Sequence, residues 1–174
     1  FKTHSSYAKV YNNDFTDLKN TLGVIYIVRD PRNVVSSLAH HYDYTMDEAI
    51  KTMINEEQFM AKTNLNSKVF IGSWSFNFNS WRKLENQSNY LLIKYEDLIN
   101  KKKSVMLKVL KFLKSLGVNI DIDMIKLNRA IKSTEFENMK IKEQKETFTE
   151  AVIDSKTGKR KIFFNLGPKN DWRK

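Results

Sequence analysis

The sequence predicts an α/β domain, and two stretches carry that prediction. Within LGVIYIVRDPRNVVSSLAHHY, residues 22–42, Val24–Val28 form a short apolar run rich in β-branched residues, which suits a strand buried on both faces. Arg29-Asp30 closes the run, and Pro31 stands where a helix would start, since its lack of an N–H costs nothing in a first turn. Val34, Val35, Leu38 and Tyr42 then recur at helical spacing, so the unit reads strand, tight polar turn, helix. The second stretch, Tyr90–Lys94, is another short apolar run, closed by Tyr95-Glu96-Asp97 and followed by an amphipathic segment. In open α/β sheets the strand-to-helix junction is where ligands bind, because helix amides point at an arriving anion. Arg29 supplies a planar cationic fork there, and Ser36 and Ser37 supply hydroxyls. On these residues alone, a phosphate site and a plain Arg29–Asp30 salt bridge with solvent-facing serines are both open.

The remaining elements follow in order. Lys2-Thr3-His4 reads as a strand end entering a polar turn, and residues 7–20, with Asn12-Asn13-Asp14, read mostly as loop. Thr45 with Glu48 three residues on forms a capping box for a helix over residues 46–62, with Met46, Ile50, Met53, Ile54 and Met60 as its apolar face. Residues 64–68 are a polar connector. Residues 72–85 carry Trp74, Phe78 and Trp81 at i, i+4 and i+7, an aromatic stripe suited to core packing. Residues 104–116 form an amphipathic helix ending before Gly117, a natural C′ residue, and Asp121 or Asp123 caps a further helix to about Ile131. Beyond Ser133 the character shifts, and Lys140–Lys161 is strongly charged and offers little to bury. The last forty residues read as a long loop laid over the domain with short structured pieces, and Trp172 as a hydrophobic anchor.

Composition bounds the function. At 174 residues, 41% hydrophobic and 12% aromatic, the chain is long enough for one globular core and too short for two. The absence of cysteine excludes disulfides, thiol catalysis and thiolate metal sites. No apolar run approaches the ~20 residues a membrane span needs. A net charge of +10 favours anionic partners without naming the anion, and most of it resides in lysine-rich surface runs such as Lys101-Lys102-Lys103. His40 and His41 are adjacent, lie on different helix faces and lack an i+4 ligand partner, so no metal cluster is evident. The chain does not begin with Met and opens in what reads as a strand end, so a natural N-terminus upstream is expected.

Lys2-Thr3-His4, Arg29 with Ser37 eight residues later, Tyr95-Glu96-Asp97, and Gly167 followed by Asp171-Trp172 occur in that order. Together they resemble the sulfotransferase family that uses 3′-phosphoadenosine 5′-phosphosulfate (PAPS). YIVRDPRNVVSSLAHHY is similar to that family's 3′-phosphate-binding segment, KTH to its strand-end motif, and LLIKYEDL to another family segment. STEFENM, residues 133–139, is similar to an adenine-side segment. The resemblance spans nearly the whole chain. Its central segment is specific, KTH and YED are individually weak, and the order of the motifs carries the assignment. It implies a P-loop-NTPase-like parallel sheet flanked by helices, lacking the N-terminal strand and phosphosulfate loop. It also implies a single partial domain, with an α/β core over residues 1–132 and a loop-rich nucleotide-covering segment over 133–174.

The resemblance further implies sulfuryl transfer from PAPS to a hydroxyl or amine, leaving adenosine 3′,5′-bisphosphate and needing no metal. His4 is then the general base, with an unperturbed pKa near ~6.5 suited to take an acceptor's proton, and Lys2 lies near the sulfate. Arg29 and Ser37 hold the 3′-phosphate, Tyr95 lies on the donor side, Thr134 and Phe136 on the adenine side, and Gly167 lets the late backbone approach the nucleotide. A small-molecule, glycan or lipid acceptor, no nucleic-acid partner and a cytoplasmic location are expected. The acceptor would be set by residues 5–20 and 141–161, and the chain alone is expected to be inactive. Two departures stand out. No Gly-rich phosphate cradle is present, and Asn165-Leu166 and Asn170 stand where the family pattern has Arg-Lys and Gly. The lost Arg puts one 3′-phosphate contact in doubt, with Lys169 or Arg173 as substitutes. An inactive bisphosphate-binding module and, more remotely, a basic nucleic-acid-binding protein are the alternatives.

Overall fold

In the computed structural model of the chain, the described residues are 2–60, 68–87, 89–146, 148, 151–154 and 157–173. In chain order they form β1 (Lys9–Val10), β2 (Asn13–Asp14), β3 (Val24–Val28), α1 (Pro31–Tyr42), α2 (Met46–Ile54), β4 (Phe59–Met60) and β5 (Val69–Phe70). Then come α3 (Trp74–Arg82), β6 (Tyr90–Lys94), α4 (Tyr95–Asn100), α5 (Lys102–Ser115), α6 (Met124–Ser133) and α7 (Phe136–Lys145), with a 3-10 turn at Gly167–Lys169. The chain divides into two compact units, Phe1–Val28 with Ile50–Ile93, and Arg29–Ala49 with Lys94–Lys174.

The first unit holds the sheet. β3 and β6 are hydrogen-bonded neighbours, and the N–H of Val24, at the start of β3, donates to the carbonyl of Asn89, just before β6, at 2.8 Å. Start meets start, so the pair is parallel, as the α/β reading requires. One expectation is corrected: β3 is not buried on both faces, because Ile25 and Ile27 are 38% and 56% exposed while Val24, Tyr26 and Val28 are half-buried. The alternation puts Ile25 and Ile27 on one face and Val24, Tyr26 and Val28 on the other, so the run is sheltered on one face only. The aromatic stripe of α3 behaves as packing. Trp81 is buried against Tyr7 and Phe15, with ring centroids 5.4 and 5.6 Å away, and Trp74 stacks on Phe78. The Trp81 indole N–H donates to the Ser5 carbonyl at 2.8 Å, so the buried ring keeps its polar atom satisfied.

Local chemistry explains three further differences. Residues 2–6 are not in a strand; Ser6 N–H donates to the Phe70 carbonyl at 2.9 Å and Ser5 Oγ to the same oxygen at 3.2 Å, which ties the segment without a ladder. Within the expected loop of residues 7–20, β1 and β2 form a hairpin whose turn residues Tyr11 and Asn12 both have positive φ, 49° and 64°. That is the requirement of a two-residue primed turn, and Asn tolerates it well. α2 stops at Ile54, not at 62. Its capping box forms as expected, with Glu48 N–H on Thr45 Oγ1 at 3.2 Å and Thr45 N–H on Glu48 Oε2 at 2.8 Å. Asn55 then turns the chain, its Oδ1 accepting Glu57 N–H at 3.0 Å, and Phe59 and Met60 pair antiparallel with Phe70 and Val69. Met60 is therefore a strand residue. The helix buries Ala49 and leaves Met46, Ile50 and Ile54 exposed. Of the connector expected at 64–68, residues 64–67 lie outside the described residues.

In the second unit, α5 starts at Lys102 and ends at Ser115, with Gly117 in the left-handed region at φ 89°, as the C′ reading predicted. Asp123 rather than Asp121 caps α6, accepting Ile125 and Lys126 N–H at 2.8 and 3.1 Å. Val105 and Leu127 are the buried anchors of α5 and α6. The late segment holds a longer helix than the short structured pieces expected there. α7 occupies Phe136–Lys145, and Glu143 accepts the backbone N–H groups of Phe163 and Phe164 at 2.6 and 3.0 Å. Phe136, Phe148, Phe163 and Phe164 make ring contacts with one another, so tertiary packing supplies what the charged sequence does not show. No helix is long and apolar enough to cross a membrane among the described residues.

Candidate functional site

The site is built on the first turns of α1. Asp30 is the N-cap, its Oδ1 accepting Arg32 N–H at 3.0 Å, and Pro31 opens the helix. Asp30 does not pair with Arg29. Its carboxylate is held down to about 2 chiefly by hydrogen bonds from the Arg32 guanidinium, at 2.9 Å to Nε and 2.6 Å to Nη2. Asp30 therefore forms its salt bridge with Arg32, two residues on, and Arg29 is released from it.

Arg29 is half-buried and lies over the Tyr95 ring, its guanidinium carbon 4.4 Å from the ring centroid. One amino group, Nη2, donates to the carbonyls of Gly167 and Asn170 at 3.2 and 3.4 Å. Nε is buried and has no hydrogen-bond partner among the described residues. A guanidinium fixed by an aromatic platform and two carbonyls, with a buried N–H still unspent, is prepared to meet an anion. Tyr95 is at the start of α4, whose Glu96 accepts Asp30 N–H at 3.1 Å and so holds the turn beside Arg29.

Residues 167–172 lie across the same turns. Asn170 Nδ2 donates to the Asn33 carbonyl at 2.8 Å and to Ser37 Oγ at 2.9 Å, while its Oδ1 accepts from Ser36 Oγ at 2.9 Å. Trp172 N–H donates to Asn33 Oδ1 at 2.8 Å. Gly167 has φ 50°, and a Cβ there would lie 2.1 Å from Cε2 of Phe136, so only glycine lets the segment pass that ring. The structure thus brings Arg29, Ser37, Tyr95, Gly167 and Phe136 into one connected set. Phe136 meets Gly167 and Phe164 directly. Thr134 is exposed, and its hydroxyl donates back to the Ala130 carbonyl at 2.8 Å as part of the α6 terminus. Trp172 is no hydrophobic anchor: it is 47% exposed, with the Arg32 guanidinium 3.6 Å above its ring. Arg173 is engaged by Asp171 at 2.9 Å, and Lys169 is exposed. His4 and Lys2 belong to the first unit, both exposed, with the His4 carbonyl accepting from Asn77 Nδ2 at 3.2 Å. The described residues hold no group of three or more His, Cys, Asp or Glu able to share a metal ion.

Sequence reasoning missed Asn33 and treated Asn170 only as a departure. Asn33 is 8% exposed, yet a polar residue in the first turn of a helix looks ordinary in a sequence. Only contacts across more than 130 positions reveal it.

Comparison with known proteins identifies the family. A family model described as sulfotransferase domain matches residues 1–174. The chain is 28% identical over 158 residues to an amine sulfotransferase of Oryctolagus cuniculus, covering 88% of this chain and 49% of that protein. It is 27% identical over 150 residues to a 3-beta-hydroxysteroid sulfotransferase of Cavia porcellus, covering 86% and 49%. A crystal structure of mouse sulfotransferase SULT7A1 complexed with PAP superposes with a TM-score of 0.61 at 24% identity, covering 87% of this chain and 52% of that one. The likeness in structure shows the fold. The chain spans about half the length of these relatives.

Proposed function

We propose, from the premise that the chain belongs to the sulfotransferase domain family, that the protein transfers a sulfuryl group from PAPS to a hydroxyl or amine acceptor. The reading is carried by Arg29, whose buried Nε is unspent while Tyr95 and the carbonyls of Gly167 and Asn170 hold the guanidinium in place. Arg29 and Ser37 are assigned to the donor's 3′-phosphate, the group that separates PAPS from a plain 5′-nucleotide. Gly167 lets the late backbone close on that site, Tyr95 supports Arg29, and Phe136 and Thr134 are assigned to the adenine side.

The donor supplies an activated sulfuryl group, and this chain's residues bind the nucleotide and handle the acceptor's proton. His4 is assigned as the base that takes it, being exposed at the end of a segment held by Ser5, Ser6 and Trp81. Lys2, two residues earlier, is assigned to the sulfate. The relatives include an amine sulfotransferase and a 3-beta-hydroxysteroid sulfotransferase, and a small-molecule amine or alcohol is the acceptor class proposed here.

The test is binding by the full-length protein. Arg29→Ala is expected to weaken adenosine 3′,5′-bisphosphate by roughly 10- to 100-fold, the range for one charge-assisted hydrogen-bond set, and adenosine 5′-phosphate by little. Calorimetric titration of both nucleotides decides it, and equal losses for the two refute the placement of the 3′-phosphate.

A further inference from the structure

The α1 helix offers adjacent hydroxyls, Ser36 and Ser37, and the structure distinguishes them through Asn170. The orientation of the Asn170 carboxamide is fixed by its neighbours. The Asn33 carbonyl, 2.8 Å away, can only accept, so the group facing it is Nδ2. The same Nδ2 then donates to Ser37 Oγ at 2.9 Å, and Oδ1 faces Ser36 Oγ at 2.9 Å. A serine hydroxyl has one proton and can accept as well. Ser36 spends its proton on Asn170 Oδ1, or at 3.2 Å on the Asn33 carbonyl, and has none left for an anion. Ser37 receives a hydrogen bond from Asn170, so its own proton points elsewhere. Among the described residues the acceptor within its reach is the Asn33 carbonyl at 3.3 Å, which already receives Asn170 Nδ2 at 2.8 Å. The Ser37 proton is therefore the loosest in the cluster and the one an incoming oxyanion can recruit.

We infer that Asn170 is a positioning residue that selects Ser37 over Ser36 as the hydroxyl donor to the nucleotide's 3′-phosphate. The inference rests on the assignment of Arg29 and Ser37 to that phosphate. Asn170 touches no phosphate itself; it acts by donating to Ser37 and by consuming the Ser36 proton. The asparagine thereby does more than tie residues 167–172 to α1, a task the Asn33–Trp172 and Arg29–Gly167 hydrogen bonds share.

The experiment measures adenosine 3′,5′-bisphosphate and adenosine 5′-phosphate affinities by calorimetry for the full-length protein and its Ser36→Ala, Ser37→Ala, Asn170→Ala, Asn170→Asp, Ser37→Ala/Asn170→Ala and Arg29→Ala variants. Ser37→Ala is expected to weaken the bisphosphate about tenfold or more and Ser36→Ala less than about threefold. Asn170→Ala is expected to weaken the bisphosphate selectively, and to add little once Ser37 is Ala, the non-additivity of residues acting through one another. Asn170→Asp, which has no N–H and accepts the Ser37 proton, is expected to lose more than Asn170→Ala. Equal losses on both nucleotides for Asn170→Ala, full additivity with Ser37→Ala, or equal costs for the two serines overturn the inference. Were Asn170→Ala not to fold, a bisphosphate-selective loss in Asn170→Asp, read beside the serine pair, would still decide it, and equal losses on both nucleotides in that variant would overturn it. Selective loss in Arg29→Ala alongside any of those results leaves Arg29 assigned to the phosphate and removes the role of Asn170. Equal losses in Arg29→Ala remove both.

Discussion

Replacing Gly167 by Ala tests how tightly the late segment is held over the site. The residue sits at φ 50°, where an L side chain costs roughly 1–2 kcal/mol. The added Cβ would lie 2.1, 2.4 and 2.6 Å from Cε2, Cδ2 and Cζ of Phe136, against 3.4–4 Å for ordinary contact, so ring or segment must give way by more than an ångström. The ring is not a free end, since it meets Phe164 at 6.2 Å between centroids, and overpacking of this kind costs roughly 1–3 kcal/mol. Together the two effects destabilise by about 2–5 kcal/mol. Part of the relief available is to withdraw residues 167–170, and that releases the carbonyls holding Arg29. Urea unfolding of the parent, Gly167→Ala, Phe136→Ala and the double variant measures the effect, with bisphosphate titration alongside. In the Phe136→Ala background the glycine substitution is expected to fall to the backbone cost alone, about 1–2 kcal/mol. A Gly167→Ala cost under about 0.5 kcal/mol, or one unchanged by removing the ring, would refute this account of why glycine is required.

Two predictions concern the first unit, beside the nucleotide-binding tests of Arg29 and Asn170. Trp81→Phe keeps an aromatic ring against Tyr7 and Phe15 but removes the indole donor to the Ser5 carbonyl, so a loss of about 1–3 kcal/mol in urea unfolding is expected; a neutral result would mean that hydrogen bond is not structural. Burial pushes the Tyr26 and Tyr90 hydroxyls up to about 12. A folded-state value above the unfolded one of about 10 means the folded protein retains protons that the unfolded chain releases, so their contribution to stability is intact below pH ~10 and declines as pH rises towards 12. Unfolding midpoints followed from pH 9 to 12 should show that decline, and Tyr26→Phe should flatten it; an unchanged slope in the variant would assign the decline to other groups.

Much of the fold was legible because it rests on short-range chemistry. Val24–Val28 and Tyr90–Lys94 appear as strands with the bounds their apolar runs suggested, and Pro31 opens α1 where its missing N–H is harmless. The Thr45–Glu48 box, the Asp123 cap and Gly117 at C′ likewise act within a few residues of themselves. The misreadings share a cause. α2 stops at Ile54 because Phe59 and Met60 find Phe70 and Val69 across the chain, and α7 forms in a charged stretch because Phe136 and Glu143 find Phe164 and the backbone at 163 and 164. Propensity and periodicity contain no record of such partners.

The site divides along the same line. The residue types and their order marked Arg29 and Ser37, in the strand-turn-helix unit after β3, as candidates to meet an anion and set Gly167 and Asn170 in one late motif. Tertiary structure decided that Asp30 pairs with Arg32 and leaves Arg29 to Tyr95 and the late carbonyls. It also decided that Asn170 meets Asn33, Ser36 and Ser37, and so which hydroxyl keeps a proton to give. The physical reason is that charge and hydrogen-bonding capacity are properties of a residue, whereas who receives the proton depends on distance and direction across the fold.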